Sequence, residues 1–163
     1  MIFVFAMINP RGDFMGLFDM FKKPKQTANN MNHEWTDYAQ KMCATAIEYA
    51  NEFNKTLDYS ENSIVDLEEI LDWYSKDISV SKPTENQIWS MAIIFGSYLG
   101  ETLLKNGLSE KGFVWGKEPS SNIPLLIRND SAYLTPNDKV YKRLVNGGED
   151  SVISFYRFAT KEI

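Results

Sequence analysis

One histidine and one cysteine are all that the 163 residues contain. A Ser-His-Asp or Cys-His centre needs its base within hydrogen-bond reach of the nucleophile. The lone His33 falls in a polar stretch ahead of the first helical pattern, so no such centre can be assembled on the folded part. Structural zinc takes Cys and His ligands in numbers this chain lacks, and no Asp-rich loop has calcium spacing. P-loop and G-x-G-x-x-G phosphate cradles are missing as well, so neither metal nor cofactor is expected. With Cys43 alone no intramolecular disulfide can form, which fits a reducing, cytoplasmic setting.

Basic charge is also scarce. Seventeen Lys and Arg against 22 Asp and Glu leave a net charge of −5 and an isoelectric point near 4.9. Counterion release onto protein cations therefore cannot drive general binding to nucleic acid. Such a domain attracts basic partners instead. No stable membrane insertion is expected: residues 2–8, "IFVFAMI", are too short to span a bilayer and lack the basic flank of a signal peptide. From Met15 the text "MGLFDMFKKPK" reads as a natural start, which would make residues 1–14 an extension and the Arg11-Gly12-Asp13 tripeptide a chance occurrence. Phe18, Phe21 and the following lysines have the make-up of an interfacial segment, but one turn buries too little for stable anchoring. Residues 1–32, including the Asn-rich linker "KQTANNMN", are expected to form a flexible tail before one α+β domain over residues 33–163.

What is present is helical periodicity. Between His33 and Thr56, Trp35, Ala39, Met42, Cys43, Ala46, Tyr49, Ala50 and Phe53 share one stripe at about 100° per residue. Cys43 lies on that stripe, as a small core residue rather than a nucleophile. A second helix is predicted over 61–76, capped by Asp58 or Ser60, with Ile64, Leu67, Ile70, Leu71 and Tyr74 on its core face. Pro83 breaks the chain, and Thr84 and Gln87 have the spacing of a capping box for a third helix over 85–105, ended by Asn106-Gly107. The period then changes. "GFVWG", "PLLIRN" and "SAYLTP" predict a small antiparallel meander of two or three strands. Pro136-Asn137-Asp138 opens the helix "KVYKRLV", Gly147-Gly148 ends it, and Asp150 or Ser151 caps a last one. The order is three helices, a meander and two helices, with no internal repeat.

The third helix carries the features that call for explanation. Gly96 and Gly100 each cost about 1 kcal/mol relative to alanine inside a helix, so they are expected to permit close approach by a neighbouring backbone. Ser97 and Glu101 lie opposite the core stripe but between apolar neighbours, and a covered carboxylate needs a partner. Arg143 is the expected cation and Lys142 the second choice, tying this helix to "KVYKRLV".

The residues "FGSYLGETL", then Trp115, then a proline before "KVYKRLVNGGEDSVISFY" resemble the bacterial proteins containing domain of unknown function 3806. The resemblance spans residues 88–156 and rests on Gly96, Gly100, Glu101, Trp115, Lys142, Arg143 and the acid-rich stretch after Gly147. It departs after Trp115, where "GKEPSSNIP" stands in place of an acidic, glycine-containing turn. It implies a bacterial α+β domain and supplies no activity.

Two functional readings follow. Asp58, Glu61, Asp66, Glu68, Glu69, Asp72 and Asp77 face only Lys76 in the local sequence, which describes either a solvated helix face or a docking surface for a basic protein. In the docking reading Asp66, Glu69, Asp72 and Trp73 form the contact surface of a non-enzymatic domain, immunity-type or regulatory. The alternative is a small-ligand site or a carboxylate-dependent enzyme with a pocket near Glu101, Trp115 and Arg143.

Overall fold

A computed structural model describes residues 28–117, 123–129 and 132–163. The expectations for residues 1–27 and for the turn at 118–122 lie outside the described residues. Helix α1 spans Ala28–Glu52. It starts inside the stretch read as linker, so His33 is an exposed helical residue rather than a linker residue. It also ends earlier than its apolar stripe suggested. Asn54 takes φ of 54°, a left-handed conformation that Asn tolerates, and Lys55 N donates to Ala50 O at 3.0 Å to close the last turn.

Helix α2 is Glu61–Ser81, five residues longer than predicted. Ser60 caps it, its Oγ accepting from Ser63 N at 3.2 Å. The helix runs on until Pro83 forbids an α conformation at Lys82, which turns left-handed at φ 48°. Helix α3, Glu85–Leu103, starts with the expected capping box: Gln87 N donates to Thr84 Oγ1 at 3.3 Å and Thr84 N to Gln87 Oε1 at 2.8 Å. It passes into one wide turn, Leu104–Leu108, and Gly107 at φ 119° ends it.

Strands β1 (Val114–Lys117), β2 (Pro124–Arg128) and β3 (Ala132–Leu134) form an antiparallel sheet in that order. Trp115 pairs with Leu126 and Leu126 with Leu134, and all three are buried, whereas Val114, Ile127 and Tyr133 line the other face. Helices α4 (Pro136–Asn146) and α5 (Val152–Glu162) follow, α4 opening on proline and α5 on a Ser151 cap.

Helix α3 is the axis of the fold. Every residue from Met91 to Leu103 is buried, so its two supposed faces are a single buried surface, wrapped mainly by α1 and α4. Helix α2 lies against α4 and α5, and β1 against α1. A Cβ on Gly96 would stand 2.5 Å from Asn137 Cα, so α4 enters against the bare backbone there, as expected. At Gly100 the neighbour is a side chain instead: the Trp115 ring lies 2.4 Å from where a Cβ would be.

Candidate functional site

Helix α2 carries six acids and one base, a net charge equal to the −5 of the entire chain. The remaining residues sum to neutrality, so the acidity of the protein is concentrated on one helix.

Long-range partners tie down part of that charge. Asp66 Oδ1 pairs with Lys55 Nζ at 3.1 Å, its Oδ2 accepts from Thr56 N at 3.2 Å, and Glu69 pairs with the same lysine. These contacts pin the end of α1 to α2, and the two carboxylates raise the pKa of Lys55 above its ordinary value. Glu68 turns inward. Its Oε1 accepts from Arg143 Nε at 2.5 Å, and its Oε2 from Ser151 Oγ at 3.0 Å, Val152 N at 2.7 Å and Ile153 N at 3.3 Å. One carboxylate thus joins α2 to α4 and occupies the positive N-terminus of α5.

Arg143 is 2% exposed. Burial opposes its charge, but Glu68 and Asp72 outweigh that cost and raise its pKa above the ordinary guanidinium value. Its Nη2 donates to Asp72 Oδ1 at 3.0 Å, which leaves Asp72 Oδ2 to the exposed Lys76, 2.5 Å away. Lys76 first, then Arg143, holds the Asp72 carboxyl below the usual carboxylate range.

These side chains border an open groove of about 480 Å³ lined by Glu68, Glu69, Asp72, Trp73, Lys76 and Arg143. Trp73 is half-buried and held edge-on by Phe53 and Tyr74, each with its ring centroid 5.3 Å away. Of the expected docking residues, Glu69, Asp72 and Trp73 therefore share one site. Asp66 is engaged beside them by the end of α1. Lys55 and Arg143 were missed as members of this surface, and Glu68, read as part of the outward acidic run, turns inward instead. Glu68 sits beside the core residues Leu67 and Leu71, the signal that it faces inward, whereas local spacing holds no sign of its distant partners.

The expected ion pair of Glu101 with Arg143 or Lys142 does not form. Arg143 is engaged by Glu68 and Asp72, and Lys142 pairs with Asp138 one turn away at 2.9 Å. Glu101, 7% exposed, instead accepts from Trp115 Nε1 at 2.7 Å. The carboxylate fastens α3 to β1, not to α4, and its donor is a neutral indole. Of the three residues named for a pocket, Glu101 and Trp115 are joined, while Arg143 is held by the α2 carboxylates instead. Cys43 lies on the buried stripe; burial, then the Glu101 charge, push its thiol far above the ordinary value, which suits a packing role.

Among the described residues, no three His, Cys, Asp or Glu side chains are grouped to hold a metal ion, and no helix is long and apolar enough to cross a membrane. No protein-family model matches the chain, and comparisons with curated proteins and with solved structures likewise find no match.

Proposed function

We propose that the protein is a bacterial interaction domain, immunity-type or regulatory, that docks a basic protein segment on α2. The observation that carries this reading is the concentration of the chain's whole net charge on one helix, beside a groove walled by Trp73. Acidic rims steer basic partners and a central aromatic anchors them. The resemblance to the domain of unknown function 3806 supplies no activity, so the reading rests on this geometry.

The test must spare the carboxylates that hold the fold. Glu69→Gln with Asp77→Lys makes the accessible face less acidic by three charges, gives up only the half-exposed Glu69–Lys55 pair, and leaves Asp66 on Lys55 and Glu68 and Asp72 with their partners. Tagged wild type should recover a basic protein from extracts of the source cell, and the purified partner should rebind with an affinity that falls as salt rises. The double variant should lose it. Equal recovery of every protein by the two forms would remove the docking reading.

A further inference from the structure

We infer that the groove between α2 and α4 is a seat for one arginine side chain of a basic protein segment, its Asp72 carboxylate occupied in the free protein by Lys76. The inference rests on the docking reading above and names what that surface recognises. Three features of the wall fit a guanidinium. Asp72 is fixed from behind by buried Arg143, so its Oδ2 is aimed outward and, among the described residues, engaged only by Lys76, whose side chain is 77% exposed. Glu69, 58% exposed, stands one turn earlier on α2 as a second carboxylate. Trp73 lines the same groove, its ring orientation set by Phe53 and Tyr74. A planar fork that pairs with carboxylates and stacks on an indole matches this set, whereas a lysine ammonium uses only the charge.

Two further observations point to a peptide rather than a free guanidinium compound. The groove, at about 480 Å³, is larger than one side chain and has room for the flanking main chain. Arg143 lines the groove, and its buried Nη1 has no hydrogen-bond partner among the described residues, a donor suited to a main-chain carbonyl. The resident contact is easily displaced, since an exposed lysine–carboxylate pair one turn apart contributes little. Lys76 is therefore a stand-in that the incoming arginine replaces on Asp72.

The experiment titrates the full chain with three capped hexapeptides of alternating sequence, Gly-Arg, Gly-Lys and Gly-citrulline, and with N-acetyl-arginine amide. Calorimetry gives affinities, and the Trp73 indole N–H resonance, assigned with Trp73→Leu, reports the site. The Gly-Arg peptide should shift that resonance and bind at least about fivefold tighter than Gly-Lys, with no binding of citrulline. Lys76→Gln should tighten Gly-Arg by a further threefold or more relative to Lys82→Gln, which removes the same charge beyond the end of α2. Trp73→Leu should weaken it tenfold or more, with Glu69→Gln as a second weakening variant that leaves Arg143 paired. Equal affinity for Gly-Arg and Gly-Lys with equal effects of Lys76→Gln and Lys82→Gln would overturn the arginine seat and leave general acidic docking intact. Acetyl-arginine amide binding as tightly as the peptide would overturn the peptide source. An unmoved Trp73 resonance would overturn the location.

Discussion

A methyl group placed on Gly96 would lie 2.3 Å from Asn137 Oδ1 and 2.5 Å from Asn137 Cα, and the second of these atoms is backbone that cannot swing aside. Gly96→Ala gains about 1 kcal/mol of helix propensity. Overpacking against α4 costs about 1–3 kcal/mol or more, so denaturant unfolding should show a net loss; a gain would mean that α4 gives way freely. Glu101 and Trp115 admit a sharper measurement. Trp115→Phe removes the indole donor and leaves a covered carboxylate without it, so a cycle with Glu101→Gln should give a coupling of about 1.5–3 kcal/mol, the range for hydrogen bonds to charged groups. Additive effects would mean that water serves the carboxylate as well as the indole does. The need for a partner at Glu101 was legible from the apolar residues around it. Its identity was not, because a lone neutral donor on a strand leaves no periodic trace, and charge logic points to a cation.

At the level of elements, the order of helices and strands was legible because apolar periodicity changes from 3.6 to 2 after Gly107 and back after Pro136. Helix ends were less so. The end of α1 depends on a left-handed Asn54 and the end of α2 on a proline two residues past Ser81, while apolar spacing alone overran the first and undershot the second. The assembly of α2, α4 and α5 around Arg143 was illegible in local terms, since its carboxylates lie 71 and 75 residues away. Arg143→Met should cost up to about 3 kcal/mol, because the partly buried Glu68 loses its cation but keeps its donors from Ser151, Val152 and Ile153. Glu68→Gln should act on the same three helices and be markedly non-additive with it. Independent effects would show that the carboxylate serves α5 alone.

For the whole molecule, stability should fall away at both ends of the pH scale. The carboxyls of Asp72 and Asp150 are held below their ordinary 3.8, the first mainly by Lys76 and Arg143 and the second mainly by Lys139 and Asn146. Groups with a depressed folded-state pKa stabilise above the unfolded value and lose that contribution as pH falls through the folded one. Acid unfolding should therefore begin below about pH 4. At the alkaline end, burial foremost pushes the Tyr59 phenol from 10.0 up to about 12. A raised phenol stabilises fully below 10 and ceases to between 10 and about 12. Circular dichroism across this window should show loss of fold, and Tyr59→Phe should move the midpoint upward. An unmoved midpoint would assign the loss to other groups.

The single carboxylate of Glu68 also has a consequence in time. Val152 N lies 84 residues along the chain from it, so the bond that starts α5 exists only after α2 and α4 have come together. Before then the last helix has eleven residues, too few to be stable alone, and just three of them become buried. Helix α5 should thus be the last to join and the first to leave. Its amides should exchange with deuterium through local opening while those of Met91–Leu103 wait for global unfolding. Glu68→Gln should accelerate exchange in α5 before it changes anything in α3, so that the order of release along the chain reports this one contact.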